Sequence, residues 1–206
     1  MNIQTLPLFA SYIILLDLDY NPKELSNKEI AFASRNTTHP LGKGDSLISK
    51  DIRILEKFPK TKKVLLNSFK EVAENFDYDN DFQISTSWMT ASNKGQGCGK
   101  HYHAHSFYSG IYYFGTYNDN CGKIVFETPI GQFSSFEVVP KNDTIKNGSS
   151  WSMTPRHNLL IFFPSYLNHW IECHDDDTTR YSLAFNIVPT GEYGYDDSSY
   201  NTSWFK

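Results

Sequence analysis

From Phe82 to Val188 apolar positions recur at about every second residue, in short runs separated by clusters of Gly, Asn, Asp and Pro. A period of two puts successive side chains on opposite faces of an extended chain, so each run predicts a strand. The runs are FQISTSWMTAS (82–92), GIYYFG (110–115), KIVFE (123–127), FSSFEVV (133–139), WSM (151–153), LLIFF (159–163) and YSLAFNIV (181–188). The earlier chain has a different rhythm. Ser11 to Leu18 predicts a first strand, and residues 21–44 are polar, with turn formers at Pro22, Pro40, Gly42 and Gly44 and a short helix expected from Pro22 to Ala33. From Ser46 to Phe58, and more clearly from Thr61 to Phe76, the spacing becomes helical, with Leu65, Phe69, Val72 and Phe76 on one stripe and Thr61 as the expected N-cap.

About eight short strands with turn-rich connections predict a β-sandwich or jelly roll rather than alternating strand–helix units. The helices are expected to pack outside the sheet. The chain is read as one domain, residues 1–206, with a helical N-terminal part at about 21–77, a β core at about 82–188 and a tail at 189–206. The tail is rich in Gly, Ser, Asp and Tyr and is expected to serve as a lid or to fray.

The chemistry concentrates at Gly95 to Phe114, where His101, His103 and His105 occupy alternate positions ahead of an apolar, aromatic run. On a strand the three would point the same way, and imidazole is the commonest protein ligand for a transition metal. A further ligand must come from elsewhere, and His169 is suited to it: LLIFF is stopped by Pro164, and a short connection carries the chain to His169 at the head of another apolar stretch. Eleven residues later comes Arg180, with Ser182 on the same face of the last long strand. A guanidinium beside a hydroxyl is a good receptor for a carboxylate, because its planar fork donates two parallel, charge-assisted hydrogen bonds.

Composition narrows the classes. The formal net charge of −4, with no basic run beyond Lys60 to Lys63, argues against a nucleic-acid groove. An aromatic content of 16% suits a Tyr- and Phe-rich β core with an aromatic-lined pocket. Cys98, Cys121 and Cys173 are odd in number and without paired spacing, which argues for a reducing compartment. Cys98 and His101 begin a C-x-x-H-x-H that resembles part of a zinc site, but no second cysteine pair completes it. Met1 to Ala10 lacks a basic signal-peptide start and the apolar IILL is interrupted by Asp17 and Asp19, so a cytoplasmic protein without a membrane anchor is expected. Usage of Asn, Lys, Ile and Tyr fits a phage source, in which case the compartment is the host cytoplasm.

The segments HYHAHSFYSGIYYF, LLIFFPSYLNHWIE and RYSLAFNIV resemble the iron(II)- and 2-oxoglutarate-dependent oxygenases of bacteria and marine phages. LPLFASYIILLDLDY and SWMTASNKG fit the same pattern, so the resemblance spans most of the chain. It implies a double-stranded β-helix, the distorted jelly roll that such oxygenases share with cupins. It further implies iron(II) on His101, His103 and His169, with His105 the alternative ligand, and 2-oxoglutarate held at its far carboxylate by Arg180 and Ser182. Trp88, Tyr112, Phe114 and Trp170 become candidate pocket walls, and Asn186 falls at the end of the family's last motif. The implied reaction consumes O2 and 2-oxoglutarate, releases succinate and CO2, and hydroxylates an unactivated C–H bond of a protein side chain or a small molecule.

One feature departs from the wider superfamily, which pairs two histidines with one carboxylate and has Asp or Glu where this chain has His103. Three neutral imidazoles leave the metal one unit more positive, which favours an anionic keto acid and also admits zinc. Two rival readings stand beside the oxygenase. A cupin-type three-histidine metal protein matches G-x5-H-x-H at Gly95, His101 and His103, but has Phe107 and Tyr108 where its glutamate belongs. A non-catalytic β-sandwich binding module would leave the histidines apart. Neither calls for Arg180.

Overall fold

The computed structural model of the chain describes residues 4, 10–25, 29–34, 44–129 and 139–205. Its order begins with β1 (Ile14–Asp17), β2 (Phe32–Ser34), β3 (Gly44–Asp45) and β4 (Leu47–Ser49), then a 3-10 turn at Ile54–Lys57 and the helix α1 (Pro59–Asn75). The core follows as β5 (Asp81–Ser92), β6 (Gln96–His101), β7 (Tyr108–Tyr112), β8 (Ile124–Glu127), β9 (Ser150–Met153), β10 (Leu159–Pro164), β11 (His169–Ile171) and β12 (Arg180–Thr190). β13 (Glu192–Tyr193) and β14 (Tyr200–Asn201) close the chain.

A seven-stranded sheet in the order β1-β10-β7-β12-β5-β4-β2 faces a five-stranded sheet in the order β3-β6-β11-β8-β9. This is the expected jelly roll, with strands antiparallel throughout except for β3 beside β6. The large sheet is covered on both faces, which explains why LLIFF is apolar without a break. Leu160 and Phe162 of β10 join the core under α1, whereas Leu159, Ile161 and Phe163 point between the sheets to meet Ile124 and Phe126 of β8. α1 lies outside the sheet as expected, with Leu65, Phe69 and Val72 inward and Phe69 in edge contact with Phe82 and Phe162. Gly110 of β7 allows this packing: a Cβ there would lie 2.3 Å from the Phe185 ring.

Several local expectations are overturned. The Pro22–Ala33 stretch turns at residues 23–25 and ends in strand β2, residues 26–28 lying outside the described residues. Ser46–Phe58 is a short strand followed by a 3-10 turn, because Ser46 and Ser49 spend their hydroxyls on neighbouring strands and loops rather than on a helical turn. α1 begins at Pro59, where Pro is at home in a first turn, with Phe58 at the N-cap position. Thr61 is a buried helical residue whose N–H and hydroxyl both donate to Glu24. The tail from Pro189 is partly a hairpin, β13 with β14, tied back by Asn80 donating to the Glu192 carbonyl. The expected strand at 133–139 falls almost entirely outside the described residues. Among the described residues no helix is long and apolar enough to cross a membrane.

Candidate active site

The inner face of the large sheet carries the polar side chains. Along β12, alternation turns Leu183, Phe185 and Ile187 toward α1 and leaves Arg180, Ser182, Ala184 and Asn186 on the other face. Cross-strand register sets their neighbours: Ser182 opposite Thr90, Ala184 opposite both Trp88 and Ile111, and Asn186 opposite both Thr86 and Ser109. The small sheet supplies the facing wall, with His169 of β11 opposite His101 of β6. Between them lies a cleft whose walls include Trp88, Thr90, Ile111, Arg180 and Ser182 as well as the histidines.

His101, His103 and His169 present imidazole nitrogens that all lie within 4.8 Å of one another, the only such group of His, Cys, Asp or Glu among the described residues. The Nδ1 contacts orient all three. His101 Nδ1 meets the Gly99 carbonyl at 2.7 Å and His169 Nδ1 the Leu167 carbonyl at 2.9 Å. A carbonyl can only accept, so both rings carry their proton on Nδ1 and keep the lone pair on Nε2. His103 Nδ1 lies 2.7 Å from Asn186 Oδ1, while Asn186 Nδ2 donates to Thr86 at 3.0 Å. Ser109 donates to the same Oδ1 and is itself linked to Ser165. Three imidazoles held as Nδ1–H tautomers, with no carboxylate in the group, suit a divalent transition metal.

At the other end of the cleft Arg180 is 1% exposed. It has no carboxylate partner among the described residues. Its Nη2 donates to the Tyr113 hydroxyl at 3.1 Å, and its Nε is buried with no hydrogen-bond partner. Burial pushes the Tyr113 phenol up, and the adjacent guanidinium draws it part of the way back. Ser182 and Thr90 share a 2.6 Å hydrogen bond beside it, and Ser46 joins Ser92 at 2.6 Å. A buried cation with an unused N–H and hydroxyls around it has the donors to receive an anion, since an uncompensated buried charge is costly.

The expected residues divide accordingly. His101, His103, His169, Arg180, Ser182 and Trp88 line one cleft. His105 lies outside the group: β6 ends at His101, and His105 sits exposed in a left-handed turn at φ 58°, so the strand that would have aligned three histidines stops after the first. Tyr112 points into the core under α1 and donates to Asn158, with Phe114 packed against that same core. Tyr113, one residue on, is the tyrosine that reaches Arg180. Trp170 lies between His169 and Ile171, which both line the cleft, and is not among its walls. Asn186 meets the cleft through His103. Sequence reading missed Tyr113, Thr90 and Ser46. Thr90 could have been found, since it shares a strand face with Trp88.

A jelly roll whose cleft holds three imidazoles and a buried guanidinium, with no carboxylate partner for the latter among the described residues, fits a non-haem iron, 2-oxoglutarate-dependent oxygenase in which histidine stands where the wider class has a carboxylate. Over residues 86–186 the chain matches the family model described as "Putative 2OG-Fe(II) oxygenase". It is accordingly an enzyme of that class, with iron(II), 2-oxoglutarate and O2 as its cofactor and co-substrates.

No curated protein matches the sequence. Among solved structures, the fold is similar to that of the α-ketoglutarate-dependent epimerase SnoN from nogalamycin biosynthesis, at 10% identity over 90% of this chain and 82% of that one, with a TM-score of 0.62. HygX from Streptomyces hygroscopicus, solved with nickel and 2-oxoglutarate, is similar at 10% identity over 87% and 84% of the two chains, with a TM-score of 0.57. A Pseudomonas putida prolyl-4-hydroxylase is similar at 12% identity over 75% and 76%, with a TM-score of 0.52.

Proposed function

We propose that this oxygenase holds iron(II) on His101, His103 and His169 and hydroxylates an unactivated C–H bond of a protein side chain or a small molecule. The single observation that carries the reading is the pairing, in one cleft, of three clustered imidazoles with a buried guanidinium that lacks a counter-charge among the described residues. Bound iron supplies the oxygen chemistry that couples decarboxylation of 2-oxoglutarate to oxidation of the substrate. The chain's own contribution is positional. Gly99, Leu167 and Asn186 hold the three rings, while Arg180, with Tyr113, Ser182 and Thr90 around it, receives the distal carboxylate of the keto acid. Ile111, Ala184 and Trp88 shield the middle of the cleft from water. The whole chain, residues 1–206, is proposed to act as one catalytic domain. A peptide is our preferred substrate, by analogy with the prolyl-4-hydroxylase of similar fold.

Anaerobic titration of the metal-free protein with iron(II), then 2-oxoglutarate, tests the assignment through the visible charge-transfer band of a chelated keto acid. The band should appear in the wild type, weaken strongly in Arg180→Ala and vanish in His169→Ala. Iron binding without a keto-acid band would overturn the role of Arg180, and failure to bind iron would overturn the ligand set. Release of succinate coupled to gain of one oxygen atom by a candidate peptide then tests hydroxylation.

A further inference from the structure

Two buried N–H groups of the cleft, Arg180 Nε and Trp88 Nε1, have no hydrogen-bond partner among the described residues. The reading above uses the first and leaves the second unexplained. A buried indole N–H almost always finds an acceptor, because leaving it unmade forfeits its hydration with nothing in return. Trp88 cannot satisfy it within its own surroundings. Its cross-strand neighbour is Ala184, and Ile111 lies beyond on the same face. Its ring packs against His103 with centroids 5.4 Å apart.

Position along the sheet indicates the missing acceptor. Thr90 and Ser182, the hydroxyl pair near Arg180, stand two residues from Trp88 and Ala184, and Thr86 and Asn186 stand two residues further along. Asn186 is the residue that holds His103. Trp88 therefore sits between the guanidinium end and the imidazole end of the cleft, on the wall along which an occupant bridging the two must lie. The indole nitrogen is closed to solvent, so its acceptor belongs to an occupant inside the cleft rather than to a substrate at its mouth.

We infer that the Trp88 indole N–H donates a hydrogen bond to the metal-proximal carboxylate of 2-oxoglutarate. The inference rests on the reading of this cleft as the keto-acid site. It makes Trp88 a binding residue that, with Arg180, recognises the two ends of one dicarboxylate. A keto acid with a single carboxylate would satisfy only one of the two donors.

The experiment compares wild type, Trp88→Phe and Trp88→Ala in anaerobic iron(II) solution titrated with 2-oxoglutarate. Phe keeps an aromatic ring against His103 while removing the donor and part of the indole's volume. Loss of one hydrogen bond to a charged group predicts about tenfold weaker keto-acid binding in Trp88→Phe. The maximum of the charge-transfer band should also be displaced, and iron affinity should be unchanged. Equal affinity and an unshifted band in Trp88→Phe would overturn the inference, and loss confined to Trp88→Ala would assign Trp88 to packing alone. A second measurement needs no altered protein to keep its fold. With zinc in place of iron, one of the four tryptophan indole N–H resonances should move downfield and exchange more slowly when 2-oxoglutarate is added. No movement of any indole resonance while the keto acid binds would overturn the inference. Failure of the wild type to bind 2-oxoglutarate would instead overturn the keto-acid site itself.

Discussion

The two faces of β12 are both largely shut off from water between Arg180 and Ile187, yet they hold different kinds of side chain. Toward α1 the strands β7, β10 and β12 present Tyr108, Tyr112, Leu160, Phe162, Leu183 and Phe185, interlocked with Phe69. Toward the small sheet, β12 presents Arg180, Ser182 and Asn186, and β7 presents Ser109. The first face gains its stability from apolar area and close packing. The second also carries Arg180 and, on the neighbouring β5, Trp88, each with an N–H buried without an acceptor among the described residues, and that tension is what marks it as a candidate site. Burial alone does not separate core from cleft; the buried donors without acceptors do.

Substitutions can test that contrast, and the largest effect is expected on the α1 side. Phe69→Ala should cost about 3–5 kcal/mol in denaturant unfolding, because the ring meets Phe82, Tyr108 and Phe162 and no neighbour can fill its space. Folded material that survives should still bind iron and keto acid normally. On the cleft side Arg180→Met should show the reverse. Keto-acid affinity should fall at least about a hundredfold, since a buried carboxylate loses its charged partner. The ligand-free protein should unfold at the same or slightly higher denaturant concentration, because an unpaired buried charge is replaced by an apolar chain of similar length. A large loss of stability in this variant would mean that Arg180 is a structural residue.

A smaller effect is expected from Asn186→Leu, which removes the acceptor that holds His103 Nδ1–H and leaves the ring itself in place. Iron affinity should fall about 10- to 100-fold by equilibrium dialysis, with little change in secondary structure by circular dichroism. An unchanged affinity would show that Ser109, 2.8 Å from the same nitrogen, suffices. The smallest effect belongs to neither face. Asp176, on the exposed loop leading into β12, accepts hydrogen bonds from Thr178 and Asn118, which lower its carboxyl to about 2 from 3.8. Its stabilisation is therefore present above pH 3.8 and lost as the pH falls toward about 2. Thermal melting of Asp176→Asn should differ slightly from wild type at neutral pH and converge with it in acid. A difference that persisted at low pH would show a role for Asp176 other than its charge.

The strands were legible in the sequence where a period of two marked one buried face, or where a short unbroken apolar run between turn formers marked two. FQISTSWMTAS, KIVFE, LLIFF and YSLAFNIV all became strands of the core, and the four-three-four spacing of Leu65, Phe69, Val72 and Phe76 became α1. Less legible were the short elements, whose state is decided by partners distant in sequence. β4 forms because β5 offers it an edge, β2 because β4 does and β3 because β6 does, which local propensity could not reveal.

Chemical identity was likewise fixed locally: three histidines near one strand, one distant histidine and one Arg–x–Ser pair stand in the chain for anyone to read. What only the tertiary structure decided was which of them meet. The left-handed turn at His105 takes it out of the group that His103 joins, and the alternation at the end of β7 brings Tyr113 rather than Tyr112 to Arg180. Sequence determines side-chain type and local period. Convergence depends on where each strand stops and which register it adopts, and those are settled by pairing across residues far apart in the chain.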